Sequence, residues 1–563
     1  MTRPGNTASR LVLPGLLLCL LAIPLAWSLG HAVLAGASLQ GWQALLADRQ
    51  TLPALGMSLW TGLASALIAT LACAGLLCAY SQGPALERLV RRQGWLLAVP
   101  HAAFAVGMLL LLAPSGWLLR LLSPWATGFA APPPWPTTQD PWGLGLIAVL
   151  ALKETPFLIW AAGAYLLQPD VAQRLRGELK VAATLGYTPG SAWWRIVWPQ
   201  LLPRLAAPLL AVLAYSLTVV DVAQIIGPTS PPSLALLAWQ WLRDADPADN
   251  AQGAAAVWLL ALVVTACAGL AWALMHAPAW RSRCTQGPDA LVTAEGAGFA
   301  ARPLRSPTTV IAMAIYLAVL LALLAGSVTG PWPFPDLLPE RWNAGAWTSV
   351  LASRDTLATT LWLALTSAGV ALAWSVAWLE LAPPTWQLRL QALAMGPLLL
   401  PALLWTLGLH QLTLAWGLDG SAAGVWLAHW LACVPYVLLT LHGPYAGFDQ
   451  RLTAVAATLG HSRWHSLWRI KWPLLRASLA SAFAVGFSVS VVQYLPTLYV
   501  GTGRFATVTT EAVALASGGQ RNLMAAFAWL QWLLPAAVFA WAAWLGRPRR
   551  FAKPNTQLGT IRP

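Results

Sequence analysis

Apolar residues along this chain come in long runs, not in alternation. Stretches of mostly apolar residues begin near Leu11, Leu52, Trp95, Trp142, Ala206, Gly253, Thr308, Thr356, Gln391, Ser421, Ala477 and Asn522. Each runs for about 20 residues, enough to cross a hydrocarbon core as a helix. Short polar segments rich in Gly, Pro and Arg separate them. The pattern predicts an all-α, polytopic membrane protein of about 12 transmembrane helices. The first run follows Arg3 and Arg10, as in a signal peptide, but it is too long for one and leads into further spans, so a retained first helix is expected.

Composition agrees: 58% of residues are hydrophobic and 9% charged, against about 25% charged in soluble globular domains. The net charge of +14 does not point to nucleic acid, because the basic residues sit in short segments between apolar runs. Placing the N-terminus in the cytoplasm puts most of the 33 Lys and Arg on the inside, which sets both termini as cytoplasmic by the positive-inside rule. The inside clusters are Arg88, Arg91 and Arg92; Arg281, Arg283, Arg302 and Arg305; and Arg547, Arg549, Arg550 and Lys553. Topogenic charge explains them most simply, with binding of lipid headgroups as the alternative. Five of the six cysteines (Cys19, Cys73, Cys78, Cys267, Cys433, but not Cys284) lie inside apolar runs, and no C-x-x-C pair occurs.

The expected division is a first half, 1–280, with six helices; a cytoplasmic linker, 281–307; a second half, 308–546, with six more; and a basic tail, 547–563. An even number of spans per half makes the two a parallel repeat.

One segment occurs twice. AATLGYTPGSAWWRIVWP (182–199) and AATLGHSRWHSLWRIKWP (456–473) share 10 of 18 positions, 274 residues apart, each inside the loop between the fourth and fifth span of its half (175–204 and 449–476). The residues predict two short helices meeting at a bend. Gly186 and Gly460 suit the left-handed conformation that ends a helix, Thr188 and Ser462 suit an N-cap, and Pro199 and Pro473 are expected to stop the second helix. Trp194, Ile196 and Trp198, or Trp468, Ile470 and Trp472, with Arg195 or Arg469 among them, suit either a protein-docking surface or an interfacial amphipathic helix, and the duplication favours docking.

This pair of loops resembles the signature of the integral-membrane subunits of ABC importers: Glu-Ala-Ala, Gly six residues after the Glu, and Ile-x-Leu-Pro beyond it. Ala182, Gly186, Ile196 and Pro199 match in the first copy, and Ala456, Gly460, Ile470 and Pro473 in the second. Lys180 and Ala454 stand where the family has Glu, and Trp198 and Trp472 where it has Leu. The resemblance implies a type I importer fold, closest in its fused form to the permeases for ferric iron and thiamine and more loosely to those for polyamines. It implies coupling helices that dock two copies of a cytoplasmic ATP-binding subunit, and a periplasmic or extracellular solute-binding protein that delivers cargo across the inner membrane; on that footing Gly186 and Gly460 are expected to set the bend and Trp194 and Trp468 to fill the subunit's groove. ATP would be used by those partners, with no cofactor bound by this chain. The four lysines, Lys153, Lys180, Lys471 and Lys553, agree, since none follows a glycine as a P-loop requires. No catalytic signature is present, so the chain is not expected to be an enzyme.

Charge within a span costs about 2.5 to 3.5 kcal/mol at a helix centre, which singles out Lys153 and Glu154. Neighbours on a helix do not face each other, so each is expected to pair elsewhere, in a structural ion pair or along the substrate pathway. Asp221 and its counterpart Gln493 are further pathway candidates. His101, His410 and His429 lack the clustering of a metal site. The competing class is a 12-span secondary transporter of major-facilitator type, favoured by GPALERLVRR (83–92), although Glu87 and Val90 depart from that family's loop.

Overall fold

The computed structural model describes residues 7–80, 84–277, 307–394 and 400–547. The expected linker, save Pro307, and the basic tail, save Arg547, lie outside these residues, with Cys284 and the Arg281–Arg305 cluster. Among the described residues the regular structure is helical, apart from an isolated bridge between Thr329 and Trp342.

The helices that matter here are α1 (Thr7–Gly36), α2 (Thr51–Tyr80), α3 (Pro84–Leu97), α4 (His101–Leu112), α5 (Leu144–Leu166), α6 (Pro169–Thr184), α7 (Ala206–Thr218), α8 (Asp221–Ile226) and α9 (Pro247–His276), then α10 (Pro307–Gly326), α11 (Arg354–Leu381), α12 (Ala402–Ala415), α13 (Ala422–Ala446), α14 (Gln450–Thr458), α15 (Arg476–Val491), α16 (Leu495–Val500) and α17 (Arg521–Leu545). Ten helices among the described residues are long and apolar enough to cross a membrane, or eleven if Arg463–Leu474 and α15, bent by 75°, count as one span. Large apolar side chains such as Leu16, Leu20, Leu67, Leu71, Leu317 and Leu321 face outward, as lipid contact requires.

Two span starts differ from expectation. Trp95 is 78% exposed on α3, whose Leu89, Gln93 and Leu96 are buried while Arg88, Arg91 and Arg92 are not, so α3 is amphipathic and lies outside the span. The span begins at His101, with Pro100 as N-cap, because proline has no N–H to continue a helix and restricts the residue before it. Likewise Gln391 belongs to the helix Pro384–Ala394, and the following span starts at Ala402 behind Pro401. With 14 residues, α12 covers roughly 21 Å, short of the hydrocarbon thickness.

The parts on either side of 278–306 are interleaved. α1 runs along α12, where a Cβ on Gly408 would strike the Ser28 carbonyl, and it also meets α11, whose Trp374 Nε1 donates to Leu17 O at 3.1 Å. α10 runs along α4 in the same manner: a Cβ on Gly107 would come within 2.5 Å of Val319 Cγ1. Both glycines stand seven residues after the proline that opens their helix. Val106, Ile225, Val319, Leu407 and Phe527 thereby join one buried apolar core drawn from both parts.

Candidate functional site

The duplicated segments fold alike. α6 ends in a Schellman motif: Tyr187 N–H donates to Ala182 O at 3.0 Å and Gly186 N–H to Ala183 O at 3.2 Å, with Gly186 at φ +86°. In the second copy His461 N–H reaches Ala456 O at 3.0 Å, Gly460 N–H reaches Ala457 O at 3.0 Å, and Gly460 has φ +81°. Thr188 then caps Pro189–Ala192 through Ser191 N–H, and Ser462 caps Arg463–Ser466 through His465 N–H. Ala182 and Ala456 are buried, and their carbonyls hold the bend.

The two prolines act differently: Pro473 stands at a break as expected, and Pro199 does not stop its helix. Trp193–Val197 and Leu467–Lys471 form π turns, in which Trp198 N–H bonds to Trp193 O and Trp472 N–H to Leu467 O. The wider turn directly precedes Pro199 and Pro473, where an ordinary α turn would clash with the ring. Helix therefore continues past Pro199 through Thr218, whereas in the second copy the axis bends by 75° between Leu474 and Arg476.

Trp194 and Trp468 project outward, 43% and 56% exposed, while Ile196 and Ile470 are half-buried. Pro199 is half-buried and Pro473 exposed. Sequence reasoning missed four companions: Val181 and Leu185 beside the first bend and Val455 and Leu459 beside the second, all exposed. It also missed Trp464, which stacks edge-on with Trp468 at 6.1 Å and Trp472 at 5.9 Å; the spacing 464, 468, 472 carried that signal. Lys180 and Ala454 are exposed.

The two copies are fastened differently. Trp193, Val197 and Trp198 sink into an apolar cluster with Cys73, Ile159 and Leu166. At the position of Val197 the second copy has Lys471, buried, with Nζ 2.7 Å from Glu380 Oε1 at the end of α11 and 4.4 Å from the Tyr445 ring.

Within the membrane-spanning region, Lys153 and Glu154 do pair elsewhere. Lys153 is 1% exposed and its Nζ donates to Leu96 O at 3.1 Å and Val99 O at 2.5 Å, so it fills the break between α3 and α4 and has almost no surface to offer a pathway. Glu154 Oε1 lies 3.0 Å from His101 Nε2, on the first residue of α4. The His101 ring packs on Tyr215 at 4.8 Å, near the end of α7, and Asp221 is the first residue of α8, which follows. The Val219–Val220 interruption that places Asp221 has a counterpart at 492–494, which holds Gln493; there Tyr494 Oη donates to Gln224 Oε1 at 2.9 Å across the two parts. Asp221 and Gln493 are partly exposed. His429 bonds Ser490 at 2.7 Å and Thr497 at 2.9 Å, and His410 lies 3.1 Å from Asp419; among the described residues no three His, Cys, Asp or Glu side chains gather as a ligand set.

No protein-family model matches the chain. It is 37% identical over 512 residues to the inner membrane ABC transporter permease protein YnjC of Escherichia coli (strain K12), covering 89% of this chain and 89% of that protein. Likeness of that extent sets aside the major-facilitator reading and any enzymatic one. Multi-pass helices, paired loops and this near full-length relationship together place the chain among the inner-membrane permease subunits of ABC transport systems.

Proposed function

We propose that the chain is the complete translocation unit of a binding-protein-dependent importer, two parallel six-helix halves (1–280 and 308–546) of type I fold on one polypeptide. Each loop, 175–204 and 449–476, docks one of two copies of a cytoplasmic ATP-binding subunit, and a periplasmic solute-binding protein delivers the cargo from the other side. The observation that carries this reading is the repeated fold of the loops: the same Schellman bend, the same cap and the same π turn present an exposed tryptophan twice. Structural duplication of a surface suits two identical partners. Asp221 and Gln493, beside the interruptions at 219–220 and 492–494, line the cargo path, and Glu154, buried within α5, contributes its charge to it through His101; Lys153 holds the break between α3 and α4. The ferric iron, thiamine and polyamine subtypes share positive charge, which suits the two carboxylates.

Vesicles holding the chain, its ATPase and its binding protein test this, with thiamine, spermidine and ferric iron offered in turn. Trp468→Ala should weaken ATPase docking about thirtyfold, the loss of a ~2 kcal/mol hot spot. Asp221→Asn should leave docking intact and lower uptake. Wild-type docking and uptake in Trp468→Ala would refute the coupling role.

A further inference from the structure

We propose that Glu380 is the positioning residue of the second loop and links it by charge to α11, so that the two loops transmit force through different devices. The inference rests on the loop reading above and deepens it.

Glu380 is the penultimate residue of α11, and its side chain is 11% exposed. Its carboxylate takes Lys471 Nζ at 2.7 Å through Oε1 and Arg463 Nη2 at 3.7 Å through Oε2, and Arg463 Nη2 also donates to the Glu380 carbonyl at 2.6 Å. Lys471 ends the π turn and Arg463 opens the capped segment, so one carboxylate grips both ends of the loop's second helix. The lysine is only 5% exposed and sits 4.4 Å from the Tyr445 ring and 5.5 Å from Phe448. Tyr445 in turn accepts from Trp472 Nε1 at 2.9 Å. The loop, α11 and the end of α13 are thus tied at one charged point.

The first loop lacks the lysine that makes this contact. Val197 replaces the lysine and no acidic residue occurs over 76–82, at the end of α2. Apolar contact slides, whereas a buried pair breaks or holds, because separating its charges leaves one desolvated and uncompensated. Movement of the second loop must therefore carry α11 with it.

The test titrates the ATPase subunit into the full-length permease in nanodiscs and reads two quantities: the half-saturating concentration, which reports docking, and the maximal stimulated ATP hydrolysis, which reports transmission. In Glu380→Gln and Lys471→Met the maximum should fall at least about tenfold, equivalent to about 1.4 kcal/mol of lost coupling, with half-saturation little changed. The charge swap Glu380→Lys with Lys471→Glu should recover most of the loss, which a fold defect would not do. Unchanged maxima in both single variants would overturn the proposal. So would loss of docking that the swap fails to restore, since the pair would then only hold the loop's shape. If the unaltered chain takes up no ATPase, the coupling reading itself fails, and that outcome is distinct from either.

Discussion

Gly186 and Gly460 carry the loops through backbone conformation alone. A Cβ at either position would meet nothing within 4 Å, so side-chain space is not what excludes other residues. Their φ values of +86° and +81° are the constraint, and an L-residue in the left-handed region costs about 1–2 kcal/mol. Gly460→Ala should accordingly weaken ATPase docking by up to about thirtyfold, and Gly460→Asn by less, because asparagine tolerates that region better. Titration of the ATPase against both variants checks the order; equal effects, or none, would show that the bend does not set docking. These glycines and the caps Thr188 and Ser462 were legible in the sequence because each acts within four residues of itself. Trp464 was legible only as a spacing of four from Trp468 and eight from Trp472; its exposure depends on how the whole loop folds.

At the level of elements, most span starts were readable from apolar run length, and those at Trp95 and Gln391 were not. Apolar run length does not register a break, and Trp95 belongs to a helix that turns aside before Pro100. The π turns were equally hidden, since a proline signals an end to a helix unless a wide turn makes room for its ring. Lys153 shows what such a break requires: the carbonyls of Leu96 and Val99 lose helical partners, and the amine replaces them. Lys153→Met leaves both carbonyls buried without that donor, a loss of about 2 kcal/mol or more. Thermal unfolding of the purified chain in detergent should show Lys153→Met clearly less stable than Glu154→Gln, whose partner His101 is 35% exposed. Equal stability of the two would mean that other groups satisfy the break.

Across the whole molecule, the interleaving of the parts on either side of 278–306 explains why the helices hold together. α1 packs on α12 and α10 on α4, each through a glycine that admits its neighbour's backbone or a valine methyl. The proline-to-glycine spacing that places Gly107 and Gly408 was present in the sequence, yet the six intervening residues of unlike composition gave it no visible similarity. Without lipid-driven hydrophobic attraction between helices, close packing at small residues is what associates them. Each half alone therefore exposes the seat of the other's first helix. Coexpressed as separate polypeptides, 1–280 and 281–563 should assemble and copurify, while either alone should fail to accumulate in the membrane. Gly408→Leu, which thrusts a side chain into the Ser28 carbonyl, should abolish copurification of the split pair more readily than it disturbs the intact chain, because the covalent connection raises the effective concentration of the two halves. Stable accumulation of either fragment by itself would show that the interleaving is dispensable.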